Sequence, residues 1–530
     1  MYTRDNMEQR SPLKKILIWI LIIIILLIGI LYFVFKPKLS DIGTVSIKDI
    51  FTPGGSTQVQ PGNTEQSTQE PGAENTVPNP FSSINNGERF RQITNFPVSG
   101  YGTFIGSHIE EEIVTDPTTG ISGTITKTIP VEILRYIERI TGHLWDAEIT
   151  ELTVKQHQAT KTSIPKVSEG FVLPGGKTVV MRNTSGEGTT VETFLGNFPP
   201  QNTVFAFCGD PVIVEIGKGS TNRAQVKALQ IYLKSTVAPL MTTDGSFGNG
   251  TERSLKELQK AAGLPETGKT DEATRAAIDS DCNEKRIAFE AEKNKPIELD
   301  GGFLDEDIQN MVHAPDGSKL FYTQNGTGGA TGYIILPDGS KITKAFDSPF
   351  TEWLPQWVNK DIVALTTYAS READGFLYTL NPTSGIFIKR FGPVRGLTTL
   401  MSPNGTWIIS SESTQTGIIT RLVDLTSGEA HDLSLPTLPE KCVWQKDSLS
   451  AVCAIPTQIP QAMYPDEWYQ GLVTFRDEFW KVEVSPFRTT KLYEPTTNHD
   501  FIRPALGPDG TFLYVTDKDT GYLWSLRTQE

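Results

Sequence analysis

A tight turn followed by a β-prone run recurs along this chain at a nearly constant interval, and that interval restricts the fold more than any other feature. Clear copies are Pro315-Asp316-Gly317 before Leu320-Phe321-Tyr322, Pro403-Asn404-Gly405 before Trp407-Ile408-Ile409, and Pro508-Asp509-Gly510 before Phe512-Leu513-Tyr514-Val515. Looser copies are Pro174-Gly175-Gly176, Asn359-Lys360-Asp361 and Gln445-Lys446-Asp447. Proline presets one turn residue, Asp or Asn bonds back to the chain, and glycine accepts the left-handed conformation that the reversal needs. The markers at 315, 359, 403 and 445 are 44, 44 and 42 residues apart. A period in the low forties is the length of one four-stranded blade. The expectation is a mainly β fold, a β-propeller of six to seven blades.

The strand-and-turn phrases resemble those of six-bladed TolB-type and seven-bladed WD40-type propellers, although no Trp-Asp signature recurs. The spacing from 445 to 508 is longer, and the surplus around Pro456 to Trp468 reads as a loop grown from one blade. Its segment Tyr464-Pro465-Asp466-Glu467-Trp468-Tyr469 concentrates three aromatic rings. Trp468 and Tyr469 are candidate ligand-binding residues for a partner or a sugar face. The alternative is packing over the propeller. The last copy, after Phe501, has material for only three strands, and Arg89 to Thr94 could supply the fourth.

Between Cys208 and Cys282 the period changes from two to that of helices. Asn222 can cap a helix that presents Val226, Leu229 and Leu233 on one face. A second helix is predicted from Thr251, presenting Leu255, Leu258 and Ala262 before Gly263. A third is predicted from about Thr270, with Asp271 and Glu272 in its first turn and Ile278 inward. Along this stretch fall Leu229-Gln230, then Asp244, Gly245, Phe247 and Gly248 with Thr251, then Leu258-Gln259 with Gly263-Leu264, then Thr267-Gly268 with Asp271 and Thr274. Their order and spacing resemble the peptidoglycan-binding-like domain of cell-wall hydrolases, a three-helix module. Leu258 departs from the aromatic residue common there. The resemblance implies a non-catalytic targeting role with peptidoglycan as partner. Most of these residues are explained by folding alone, with Phe247 plugging the core and Thr251 capping a helix. In a groove between helices, Asp244 and Gln259 are the candidates for polar contact with wall peptide or sugar.

Ahead of the β-rich part, Ile16 to Phe35 form twenty consecutive apolar or glycine positions. At about 1.5 Å per residue this spans the roughly 30 Å hydrocarbon core of a bilayer, and no cleavage signal follows. A retained, single-pass transmembrane helix is expected. Arg4, Arg10, Lys14 and Lys15 precede it, while Lys36, Lys38 and Lys48 follow, a weak bias to a cytoplasmic N-terminus. From Thr52 to Pro80 only Val59, Ala73 and Val77 lie outside the set Pro, Gly, Ser, Thr, Asn, Gln and Glu. Such a segment cannot build a core, so a disordered stalk is expected. The resulting division is 1–15 cytoplasmic, 16–35 membrane helix, 36–87 linker, 88–207 first part of the propeller, 208–285 inserted domain and 286–530 the remainder.

The four cysteines fall into two pairs. Cys208 and Cys282 bracket the insertion, and Cys442 and Cys453 flank a predicted hairpin turn. Two disulfides are expected, which places the bulk of the chain outside the cytoplasm of a bacterial cell membrane. The formal charge of −14, from 48 basic and 62 acidic side chains, is the wrong sign for nucleic-acid binding. The six histidines, 108, 143, 157, 313, 431 and 499, lack ligand spacing and no Cys-x-x-Cys occurs, so neither metal nor cofactor is expected. No nucleophile elbow or His-Glu-x-x-His is present. The expectation is a non-enzymatic envelope protein that holds peptidoglycan and presents its propeller to another envelope protein or a glycan. Two rivals stay open: a wall hydrolase or lyase with carboxylates in the propeller channel, and a scaffold without wall affinity.

Overall fold

The structure, a computed structural model, describes residues 88–115, 122–184, 190–200, 212–304 and 307–529. The predicted membrane helix 16–35, the stalk and Cys208 lie outside these residues. Among the described residues no helix is long and apolar enough to cross a membrane.

Seven four-stranded antiparallel sheets follow one another along the chain. Blade 1 begins at Val98, blade 2 at Val167, blade 3 at Ile308, blade 4 at Trp353, blade 5 at Thr398, blade 6 at Cys442 and blade 7 at Phe501. The range of six to seven blades resolves to seven. Blade 7 takes three strands from the C-terminal end and its fourth from Phe90–Gln92, which pairs antiparallel with Trp524, Ser525 and Leu526. Phe90 stacks on Trp524, and Arg91 donates from its guanidinium to the Thr150 carbonyl of blade 1.

Each blade is covered on both faces by its neighbours, so its second strand reads as a continuous apolar run rather than an alternating one. Ser450–Pro456 is buried along its whole length, and so is Phe512–Asp517. One hydrophobic cluster fills each blade-to-blade interface, from Leu134, Tyr136 and Tyr514 between blades 1 and 7 round to Phe479, Phe501 and Leu526 between blades 6 and 7. Seven such layers close the ring.

The recurrent turns all join the first and second strands of a blade. Gly317, Gly405 and Gly510 hold φ of 70°, 77° and 78°, and the preceding Asp316, Asn404 or Asp509 accepts a backbone N–H two residues on. The turns also link neighbouring blades: the Asn359 amide donates to the Pro403 carbonyl, Ser448 accepts from the Asn404 N–H, and Lys446 donates to the Pro508 carbonyl. Cys442 and Cys453 stand opposite each other across such a hairpin and form a disulfide. Cys282 is disulfide-bonded as well.

The helical segment interrupts blade 2 between its third strand, Val191–Asn197, and its fourth, Asp300–Phe303. It comprises α1 (Arg223–Thr236), α2 (Asn249–Ala261) and α3 (Glu272–Lys293). It has its own core, in which Val226, Leu229, Leu233, Phe247, Leu255 and Ile278 meet. Three details differ from the sequence reading. α3 runs to Lys293, past the boundary placed at 285, because alanine and charged residues continue the helix with no breaker. α2 starts at Asn249, so Thr251 sits inside its first turn and does not cap it. Asp271 precedes α3 and accepts the Thr274 N–H at 3.0 Å.

In an up-and-down blade, the first-to-second and third-to-fourth connections share one face of the ring. The insertion therefore lies on the face of the recurrent turns. Lys293 at the end of α3 donates to the Ser107 carbonyl on the long first hairpin of blade 1 at 2.6 Å. The long blade 6 loop is a second-to-third connection and lies on the opposite face.

Candidate functional site

Two glutamines organise the helical module in the same way. Gln230, on α1, accepts the Gly245 N–H at 2.8 Å and donates to Asp244 Oδ1, the Ser246 carbonyl and Thr251 Oγ1 at 3.0, 3.0 and 3.3 Å. Gln259, on α2, accepts the Gly268 N–H at 2.9 Å and donates to Thr267 Oγ1, the Lys269 carbonyl and Thr274 Oγ1 at 2.9, 2.8 and 3.0 Å. Each buried amide is thus saturated by the glycine loop after its helix and by a threonine of the next helix. Gly245 and Gly268 have φ of 75° and 67°, and Gly245 also sits against the Arg223 carbonyl, where a Cβ would come within 2.7 Å. The spacing of glutamine, glycine and threonine is the footprint of this clamp used twice.

The clamp gives Gln259 a structural role: it is 0% exposed and its amide is taken up by these bonds, so it acts as an internal strut behind the groove between α2 and α3. Leu258 packs against the edge of the core, and Gly263, with φ of 69°, ends α2 through bonds from its own N–H to the Lys260 carbonyl and from Leu264 N–H to Gln259. Asp244 is placed differently. Its Oδ1 is held by Gln230 and by the Ser246 N–H at 2.8 Å, while the residue stays exposed. Those bonds, the Ser246 N–H foremost, hold its carboxyl below the usual range, so it remains an anion well into acid.

Asp244 borders a groove of about 560 Å³ between the loop after α1 and the exposed side of α2. Arg253 and Glu257, one turn apart on α2, line it with Ser254. Opposite them Ala238, Pro239, Leu240 and Met241 make an apolar wall, and Leu240 is 97% exposed. The groove therefore offers one cation, two anions and an apolar strip to solvent. Arg253, Glu257 and Leu240 were missed in the sequence because their types and spacing are those of any solvated helix face and loop. A smaller groove of about 350 Å³ lies between α2 and α3, where Tyr232 donates to Asp281, itself paired with Lys285.

The aromatic loop of blade 6 is not an exposed grip. Trp468 is 4% exposed and Tyr464 fully buried. Trp468 stacks on Phe475, donates its indole N–H to Asp500 at 2.8 Å, and has Lys518 over its ring. Tyr469 donates its hydroxyl to Glu440 at 2.6 Å. Asp466 accepts from Ser370 and from the Arg371 N–H in blade 4, and the Tyr464 carbonyl accepts from Ser413 in blade 5. The loop is thus tied to blades 4, 5, 6 and 7. The rings are spent on packing against one another and against Ile418 and Leu438 of the ring. Among the described residues no group of three or more His, Cys, Asp or Glu is arranged to hold a metal ion.

Residues 222–278 match the family model described as "Putative peptidoglycan binding domain". Solved structures similar to the chain include TolB from Acinetobacter baumannii, at 12% identity and a TM-score of 0.27, over 42% of this chain and 55% of that one. They also include the β-propeller domain of the Trilobed protease from Pyrococcus furiosus, at 8% identity and a TM-score of 0.37, over 76% of this chain and 94% of that one. The chain thus spans little more than half the length of the TolB structure. No curated protein matches the sequence. Residues 222–278 form a peptidoglycan-binding-family domain, built as three helices and inserted in blade 2 of a seven-bladed propeller.

Proposed function

We propose that this protein attaches non-covalently to peptidoglycan through the Asp244–Arg253–Glu257 groove of its inserted domain, and that the propeller presents a surface to a further envelope partner. The observation that carries the reading is an open groove with both charge signs and an exposed apolar wall, on a domain whose family is described by this ligand. Wall peptide carries amine and carboxylate groups that such a set can pair, and its sugars offer flat apolar faces to Leu240 and Met241. The Cys442–Cys453 disulfide supports an extracytoplasmic setting. In this reading residues 16–35 anchor the chain in the membrane and the linker lets the propeller reach the wall.

The module holds the wall and does not cleave it. Co-sedimentation of residues 85–530 with insoluble peptidoglycan, beside a form with 210–280 replaced by a short linker, tests the attachment. Sedimentation that needs the insertion is expected. Loss of both forms to the supernatant would end the wall-binding reading, and release of soluble wall fragments by the intact form would end the non-enzymatic one.

A further inference from the structure

Where blades 6 and 7 meet, an amine and two carboxylates are packed together with no access to water. Lys441 lies in the short 3-10 turn Pro439–Lys441 just before blade 6, Asp477 opens the third strand of that blade, and Asp500 immediately precedes blade 7. All three side chains are 0% exposed. Lys441 Nζ is 2.5 Å from Asp500 Oδ1 and 2.8 Å from Asp477 Oδ2, and donates also to the Phe501 carbonyl at 2.8 Å. The Trp468 and Phe475 rings close over the nitrogen at 5.2 and 5.1 Å. We infer that this cluster is a self-modification site, at which Lys441 Nζ and Asp500 Cγ condense into an amide that joins blade 6 to blade 7 covalently.

The surroundings of Asp500 are those of an acyl group prepared for attack. Its Oδ2 accepts from the Trp468 indole at 2.8 Å, the Phe475 N–H at 3.1 Å and Thr474 Oγ1 at 3.3 Å. Lys518 Nζ stands 3.9 Å from the same atom. Two N–H donors, a hydroxyl shared with Asp519 and a cation beside one oxygen stabilise the negative charge of a tetrahedral intermediate. The other oxygen, Oδ1, faces the amine that Asp477 also holds, and is the one to leave. Held in contact in a rigid core, nucleophile and acyl carbon react as if at very high concentration.

Asp477 is the proton carrier. Burial raises its carboxyl against the pull of Lys441, and the neighbouring Asp500 raises it further. Its Oδ2 accepts the Phe501 N–H, while Oδ1 has no hydrogen-bond partner among the described residues and is free to take a proton. The balance closes without any co-reactant. Lys441 enters as an ammonium and Asp500 as a carboxylate, the N–C bond forms, and the Cγ–Oδ1 bond breaks. Of the three ammonium protons one stays on the amide nitrogen, and two leave with Oδ1 as water, relayed through Asp477, whose own protonation is unchanged at the end. Nothing is oxidised or reduced. The condensation removes two opposite charges from a dry site where burying either is costly, which favours the amide.

Mass spectrometry of peptides from the folded full-length chain, digested after reduction, tests this. The expected product is a non-reducible pair of peptides joined between Lys441 and Asp500, lighter than their sum by one water. Asp477→Asn, a near-isosteric change that retains both partners, should yield the two peptides separate and at full mass, as should Lys441→Met. Full-mass linear peptides from the folded wild-type chain would overturn the proposal, whatever the variants do. A link to Asp477 would overturn the assignment of the acyl partner, and a link formed as fully in Asp477→Asn would overturn the role of the carrier.

Discussion

Two segments interrupt the regular propeller, and they meet opposite fates. The inserted helices bury Val226, Leu229, Leu233, Leu255 and Ile278 against one another, which leaves Leu240, Arg253 and Glu257 free at the surface. The blade 6 loop stacks Tyr464 and Trp468 on Phe475, but that small cluster closes only against Ile418 and Leu438 of the ring. An insertion large enough for its own core can keep side chains for a ligand, whereas one too short must lend its apolar residues to its host. Aromatic density in a loop therefore says little about binding until the position of the nearest core is known.

The comparison breaks first at Trp468. Trp468→Ala removes a buried stack and leaves Asp500 short of a donor, and should cost about 3–5 kcal/mol in thermal or denaturant unfolding. An unchanged melting temperature would return the loop to the list of binding surfaces.

The ring has a second buried group without counterpart in the module. Glu132, near the junction of blades 1 and 7, accepts from the Tyr514 hydroxyl at 2.7 Å, and burial pushes its carboxyl up to about 7. A carboxyl raised on folding stabilises fully below its unfolded range, and that stabilisation is lost as pH rises through the folded value. Stability should fall by up to about 3 kcal/mol between pH 4.5 and pH 8 on account of this residue. Glu132→Gln should flatten the profile measured by urea unfolding across pH, and an equally steep profile would assign the dependence elsewhere.

Within the module, Gln259→Ala leaves the Gly268 N–H and the Lys269 carbonyl without their buried partner and should cost about 1–3 kcal/mol. If it weakened wall retention while the helical circular dichroism and unfolding midpoint stayed fixed, the strut reading would fail. The smallest stability effect belongs to the groove. Arg253→Ala and Leu240→Ala should move stability by no more than about 0.5 kcal/mol, yet lower the fraction that sediments with peptidoglycan. Undiminished sedimentation in the double variant would move the ligand to the Tyr232–Asp281–Lys285 groove.

The repeated turns were legible because their chemistry is local: proline, a short polar side chain and glycine act within four residues. The helical module was legible for the same reason, since the Gln230 and Gln259 clamps impose a fixed spacing. The direction of those amides was not, because a glutamine that binds a loop and one that binds a ligand look alike in sequence. Trp468 was open to both readings for a similar reason, its partner Asp500 being 32 residues away.

The sequence by itself determined the blade repeat, the place and family of the insertion and the partner of Cys442, each set by short-range spacing or by a period. Closure by Phe90–Gln92 was suggested by a last blade one strand short, but only the tertiary structure decided that the blades number seven, that the aromatic loop folds inward, and that Lys441, Asp477 and Asp500 share one dry site. Those outcomes depend on which strands become neighbours around a ring, and contacts made by closure join residues whose separation along the chain carries no signal.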